Sequence, residues 1–363
     1  MTNLRFGLCA ALFFGAAAFL AACGGGPQNG AALSPDTARY AQGGSVGRDA
    51  ALTMPHYVQR AVHPDRNGSS MSPAATTSKA LLYVGDWSTN DVYVYDYKSG
   101  ASVGTLTGDD EPYGMCVDAK GDIYVANFGS GTLVEYAHGG SSPIQTYSPG
   151  GEPIGCAVDA RGDVAATSFD PGEVTVYPKG NPNKGRTYSN PDCGYSWSFG
   201  YDDKDNLLGV GEGTTIVFCA ILANSKKMIT LQGTGFPQDD FPGGVTWDGK
   251  YFAIGDQEMG GTYQTGVLRA TLKGKTLTYE GETTFSDDCY SDYVDDVNPF
   301  IVGKKNTPVN DKQGNVMVGP NLWCVDAGTG KVDYWHYPAG GLPYTNLSSP
   351  PAEPYGAGVS IAQ

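Results

Sequence analysis

Three glutamates stand where oxygen chemistry could occur. Glu111, Glu152 and Glu353 each precede a proline in a Glu-Pro-x-Gly tetrapeptide. Asn127 and Asp256 close short apolar runs elsewhere in the chain. Carboxylate and amide oxygens gathered from several segments are ligands for Ca²⁺ or another hard divalent cation. Glu111, Glu152, Glu353, Asn127 and Asp256 are therefore the candidate metal ligands. A second concentration of acid lies at Asp287, Asp288, Asp292, Asp295 and Asp296, interleaved with Tyr290 and Tyr293. It lacks EF-hand spacing and is expected to form a binding lid. Histidine chemistry is poorly provided for, since the chain has only His56, His63, His138 and His336. A Gly-x-Ser-x-Gly pattern at Gly43 to Gly47 is not set between a strand and a helix, as a nucleophile elbow would be. No catalytic residue and no organic cofactor is assigned.

The elements that must hold these residues announce themselves by repetition. Glu111-Pro112-Tyr113-Gly114 leads through Val117-Asp118-Ala119-Lys120-Gly121-Asp122 into Ile123-Tyr124-Val125-Ala126-Asn127-Phe128. The pattern returns 41 residues later from Glu152 to Phe169. Equivalent strand positions fall at Tyr83, Tyr124, Ala165, Leu208, Phe252 and Met317, which predicts six units. A period near 40 with short apolar strands and Gly/Asp turns is the pattern of β-propeller blades. The third runs are Asp91 to Tyr97, Thr132 to Tyr136 and Glu173 to Tyr177. The first of these is apolar on both faces, as sheets covered on both sides require. The first unit lacks an innermost strand, and Glu353 to Ile361 repeats that strand at the end of the chain. An all-β, six-bladed β-propeller is expected, closed by pairing of the C-terminal strand with the first blade.

Composition agrees. The chain has 363 residues, 52 Gly, 23 Tyr and only 17% charged residues, as suits many turns and aromatic strands. A net charge of −15 excludes a nucleic-acid partner, which needs a basic face.

The N-terminus differs in kind. Arg5 precedes an apolar run from Phe6 to Leu20, followed by Leu20-Ala21-Ala22-Cys23 and three glycines. This resembles a bacterial lipoprotein signal with its lipobox. The resemblance implies a signal peptide over 1–22, cleavage before Cys23, lipidation of its thiol, and an outer-membrane or cell-surface location. Residues 23–78 are rich in Gly, Ser, Pro, Ala and Asn. They are expected to be a flexible tether with an end-to-end distance of roughly 40 Å. The propeller is assigned to 79–363. Cys116, Cys156, Cys193, Cys219, Cys289 and Cys324 remain for an exported domain, with fifteen possible pairings. Burial as small apolar side chains serves equally for Cys116 and Cys156.

Leu82-Tyr83-Val84-Gly85-Asp86-Trp87, Val92-Tyr93-Val94-Tyr95-Asp96 and Tyr124-Val125-Ala126-Asn127 resemble the NHL-like and YVTN-type propeller repeats of bacteria. That family includes binding modules, lactonases and lyases. Lactonase-type members hold a metal with Glu, Asn and Asp, whereas Gly211 and Pro320 fill two of the equivalent positions here. The expected function is a non-enzymatic binding module, monomeric and membrane-anchored, for a protein, glycan or small molecule. Trp87, Tyr113, Phe128, Tyr263 and Tyr355 are its candidate contacts. The alternative is a metal-dependent, lactonase-like hydrolase.

Overall fold

The computed structural model describes residues 68–212, 216–237, 242–256, 264–286, 300–302, 321–326, 331–343 and 345–362, together with Met259. Cys23, Tyr263 and the acidic run Asp287, Asp288, Asp292, Asp295 and Asp296 lie outside them, as do the signal segment and most of the tether. Among the described residues no helix is long and apolar enough to cross a membrane.

The chain is built of sheets laid down in sequence order and paired antiparallel, except where Gln232–Thr234 runs parallel to Thr276–Thr284 at the edge of the fifth. Strands β1 (Ser70–Met71), β2 (Ala80–Asp86), β3 (Asp91–Asp96) and β4 (Ser102–Thr107) begin the first sheet. β5 (Pro112–Val117), β6 (Ile123–Asn127), β7 (Thr132–Tyr136) and β8 (Pro143–Tyr147) form the second. β9 (Pro153–Val158), β10 (Val164–Ser168), β11 (Glu173–Tyr177) and β12 (Arg186–Ser189) form the third. The fourth holds β13 (Tyr195–Ser196), β14 (Gly200–Tyr201), β15 (Leu207–Glu212), β16 (Ile216–Ile221) and β17 (Ile229–Thr230). The fifth holds β18 (Gln232–Thr234), β19 (Pro242–Trp247), β20 (Phe252–Asp256), β21 (Gly266–Lys273) and β22 (Thr276–Thr284). β23 (Phe300–Val302), β24 (Asn321–Asp326), β25 (Lys331–His336) and β26 (Thr345–Asn346) form the sixth. β27 (Pro354–Ile361) returns to the first sheet and pairs with β2, from Ala80 opposite Ile361 to Asp86 opposite Pro354.

Tyr83, Tyr124, Ala165, Leu208 and Phe252 lie on β2, β6, β10, β15 and β20. In the sixth sheet Asn321–Asp326 bonds to both neighbours, and Met317 falls outside the described residues. β2 is buried at every position, because sheets cover it on both faces.

The repeat glycines have a packing reason. A Cβ on Gly114 would strike the carbonyl of Ile154, one on Gly356 that of Tyr113, and one on Gly155 the side chain of Ser198. The third residue after each repeat glutamate is thus pressed by the neighbouring unit, by backbone at Gly114 and Gly356 and by the Ser198 side chain at Gly155. No side chain fits there.

Ordered structure starts ahead of residue 79, where the strand pattern set the boundary. Ser69 Oγ accepts from Thr107 N at 2.9 Å, Ser70–Met71 pairs with β4, and the short helix α1 (Pro73–Thr77) buries Ala75. Two paired residues and one turn of helix are too short to raise a periodic signal.

Candidate functional site

The second strands end on one rim, and that rim holds the candidate metal ligands. Asn127 is opposite Pro112, Asp256 opposite Pro242, Ser168 opposite Pro153 and Asp86 opposite Pro354, each beside a break in register. The side chains there fasten backbone. Asn127 Oδ1 accepts from Asp110 N at 3.2 Å, and its Nδ2 donates to Asp109 Oδ1 at 3.0 Å. Ser168 Oγ accepts from Glu152 N at 2.9 Å. Asp86 Oδ1 accepts from the amides of Ser88 and Thr89 and the Ser88 hydroxyl. Its Oδ2 accepts from Ala352 N and Glu353 N.

The glutamates join the same clamp by their carbonyls. Glu353, Glu111 and Glu152 accept in turn from the amides of Trp87, Phe128 and Phe169. Glu111 is buried with φ 54°, and its amide donates to Asn90 Oδ1 at 3.0 Å. Burial and the charge of Asp170 push the Glu152 carboxyl up. Glu111, Glu152, Glu353 and Asp256 do not form a group of three ligand atoms within 4.8 Å of one another. Beneath this rim Asp109 is buried and pushed up to about 6, by burial first. Hydrogen bonds from Asn127 and Tyr136 pull it back.

The candidate contact aromatics pack on one another. Tyr113, Phe128 and Tyr355 are buried, and half-buried Trp87 lies 5.8, 5.3 and 5.1 Å from their ring centres. Such rings fill a core as well as they would hold a ligand.

A different group gathers at the opposite end of the strands. Asp118, Asp122 and Glu135 each offer a carboxylate oxygen, and the three lie within 4.8 Å of one another. The turn from β5 to β6 positions the first two. Asp118 Oδ1 accepts from Lys120 N at 2.8 Å and Asp122 N at 2.9 Å, which folds the loop around its own side chain. β7 supplies Glu135, opposite Tyr124. The corresponding residues of the first, third and fourth sheets are Val94, Val176 and Ala220, and that of the fifth, counted from Asp256 opposite Gly266, is Arg269. Glu135 is 7% exposed, so an acid is buried at a position that the first, third and fourth sheets fill with apolar side chains.

Tyr147 donates its hydroxyl to Glu135 Oε2 at 2.9 Å. Burial, then the Glu135 charge, push the Tyr124 phenol far up. Burial and the charges of Asp118 and Glu135 push Asp122 up, and Lys120 partly offsets them. Lys120 Nζ stands 3.7 Å from Asp118 and 3.9 Å from Asp122. Asp118 and Glu135 line a cavity of about 310 Å³ with Tyr124, Tyr147, Asp159, Arg161 and Lys179 on its walls. Oxygen donors of this kind suit a hard cation. The signal for Glu135 was present in the sequence, as the one acid at its position among the aligned third strands.

Disulfides join parts of the second, third and fourth sheets. Cys116 on β5 is bonded to Cys156 on β9, and Cys193 to Cys219. Cys116 and Cys156 lie 40 residues apart, one short of the repeat, and the one-residue offset turns them to facing sides of neighbouring first strands.

No family model matches the chain, and no curated protein matches it. Among solved structures, a chain of the nidogen/laminin complex superposes with a TM-score of 0.53 at 14% identity, covering 78% of this chain and 99% of that one. Hydrazine synthase of Kuenenia stuttgartiensis gives 0.49 at 15% identity, over 78% and 79% of the two chains. Virginiamycin B lyase of Staphylococcus aureus gives 0.48 at 14%, over 74% and 79%. At such identity the likeness to the nidogen/laminin chain concerns the fold alone: this protein is all-β, with several antiparallel sheets and propeller-like neighbours.

Proposed function

We propose that the six sheets are blades of one closed propeller of the NHL/YVTN type. We further propose a non-enzymatic binding module that takes a hard divalent cation at the turn end between its second and third sheets. Closure is supported by first strands in contact around a circuit: β27 with β5, β5 with β9, β9 with β14, β14 with β19, β19 with β23, and β23 with β27. The binding reading rests on one observation. Glu135 is a buried acid where the first, third and fourth sheets carry Val or Ala, and it faces Asp118 and Asp122. A buried charge of that kind costs stability unless something compensates it.

Calcium titration followed by thermal unfolding tests this. At a concentration near 100 times Kd, Ca²⁺ is expected to add about 2.7 kcal/mol of stability. Glu135→Gln is expected to abolish that gain. Absence of a shift with Ca²⁺, Mg²⁺ and Mn²⁺ alike in the unaltered protein would sink the cation site. The lactonase-like alternative draws less support, because Asn127 spends its amide oxygen and nitrogen on Asp110 and Asp109. The lipid anchor at Cys23 belongs to the same picture, a monomeric head held on the outer membrane or cell surface. It fails if Cys23→Ser leaves membrane fractionation unchanged.

A further inference from the structure

Glu135 sits on the face of the second sheet that the third sheet covers. Cys116, Tyr124 and Glu135 stand opposite one another on β5, β6 and β7, and residues opposed in this way share a face. Cys116, Tyr124 and Tyr147 pack there against Cys156, Val164 and Tyr177 of the third sheet. Two links cross this seam beside the carboxylates. The first is covalent. Cys116, just before Asp118, is bonded to Cys156, just before Asp159. The bonded strands thus run directly into the two turns that line the cavity. The second link is a hydroxyl. Tyr147 Oη lies 2.9 Å from Glu135 Oε2 and 3.1 Å from the carbonyl of Gly180, which follows β11 of the third sheet.

One proton serves these two acceptors, because a phenol donates once and neither a carboxylate nor a carbonyl donates at all. Without a cation the carboxylate is the stronger acceptor and takes it. A cation that draws charge out of Glu135 weakens that acceptor and turns the hydroxyl toward Gly180, across the seam. Burial acts in the same direction. A carboxylate covered by the third sheet has lost hydration, and a cation beside it gains more than it would in water, since Coulomb attraction grows as the dielectric falls. The positive charge on the opposite wall is largely answered: Arg161 is held by Asp159, Asp163 and Asp205, and Lys179 is exposed. A closed seam therefore binds the cation more tightly than an open one.

We propose that the Cys116–Cys156 disulfide is a redox control on the cation site, a role that rests on the reading of Asp118, Asp122 and Glu135 as that site. The bond holds the seam closed and the site tight; reduction lets the seam open and the cation leave. Reduction breaks the S–S bond, places one hydrogen on each sulfur and oxidises an external dithiol to its cyclic disulfide, two electrons and two protons passing between them. Both cysteines are buried, so a dithiol meets them as the seam opens, the motion that the cation opposes. By linkage the effect is reciprocal: the factor that the disulfide adds to cation affinity is the factor that bound cation adds to the disulfide's resistance to reduction.

The test is Ca²⁺ binding by calorimetry to the full chain, oxidised and as the double variant Cys116→Ser/Cys156→Ser. The variant is expected to bind more weakly by about fivefold or more. An equal Kd overturns the control and leaves the cation site standing. No Ca²⁺ binding by the oxidised, unaltered protein overturns the cation site, and the control with it. If the variant does not fold, dithiothreitol titration of the unaltered protein decides, with each cysteine pair followed by alkylation and peptide mass. Saturating Ca²⁺ is expected to raise the dithiothreitol needed for half-reduction of Cys116–Cys156 by about fivefold or more, and to raise it less for Cys193–Cys219. Equal protection of the two disulfides overturns the proposal, as does no protection of Cys116–Cys156 in protein that binds Ca²⁺.

Discussion

The two ends of the strands use the same residue types for opposite purposes. On the Glu-Pro rim Asp86, Asn127 and Ser168 spend their side chains on backbone amides. At the turn end Asp118 does the same with one oxygen, yet it still stands beside Asp122 and Glu135 in a carboxylate group. The neighbouring turn sharpens the contrast. Asp159 folds its loop as Asp118 does, accepting from Arg161 N and Asp163 N. There Arg161 reaches Asp159 at 2.7 Å, Asp163 at 3.3 Å and Asp205 at 3.6 Å, and Val176 replaces the acid. One copy of the turn neutralises its own acids with a planar guanidinium, which bonds carboxylates in a fork. The other pairs them with a loosely held lysine and adds a third carboxylate. Acidic residues mark a candidate site only where the scaffold has not already consumed them.

The largest effect should come from the rim. Asp86→Ala leaves the amides of Ser88, Thr89, Ala352 and Glu353 without their acceptor and loosens the return of the chain to β2. Removing a buried charged acceptor from several donors is expected to cost about 3 kcal/mol or more. Denaturant unfolding measures it. If Asp86→Ala is within 1 kcal/mol (roughly) of the unaltered protein, the rim is not the fastening described.

A smaller effect separates two buried carboxylates that both receive a phenol proton, Asp109 from Tyr136 and Glu135 from Tyr147. Asp109 is pushed up to about 6. Its folded form keeps a proton that the unfolded chain has already released. Stability from this group is therefore present below about pH 4, falls as pH rises to about 6, and is level above that. Asp109→Asn keeps an acceptor for the Asn127 amide and cannot ionise. It is expected to remove that slope and to add on the order of 1–2 kcal/mol at pH 7. Urea midpoints at pH 4, 5, 6 and 7 check it, and an unchanged slope would show that the acid responsible is elsewhere.

Much of the fold was legible because the repeat carries it. Strand spacing placed Tyr83, Tyr124, Ala165, Leu208 and Phe252 on successive second strands, and the C-terminal copy of the motif marked β27. The site was less legible, for a physical reason. Glu111, Glu152 and Glu353 share a backbone place, their carbonyls accepting from Phe128, Phe169 and Trp87, a bond open to any residue's carbonyl, so recurrence reports the position before it reports the carboxylate. Glu135 departs from the repeat, and a departure is what a local site should look like in an array of equivalent units. Cys116 and Cys156 also depart from the repeat, by one residue, and that offset on adjacent first strands is what lets them face each other and bond. The stretch from Ser70 to Thr77 was missed because its order depends on β4 and on Ala75 burial, which composition does not report.

The finest test converts one turn into the other. Lys120 is 78% exposed by side chain and reaches its acids only at 3.7 and 3.9 Å, while Arg161 forks onto the same pair one sheet further on. Lys120→Arg should let a guanidinium occupy Asp118 and Asp122 as Arg161 occupies Asp159 and Asp163. An exposed pair of this kind is worth about 0.5 kcal/mol, so the unfolding midpoint should rise slightly without cation. The same guanidinium would compete for the carboxylate oxygens that a cation needs, and the Ca²⁺-dependent gain should shrink even though every carboxylate remains. A variant that keeps the full Ca²⁺ response would mean that Glu135 and its tyrosines, rather than the turn, define the site.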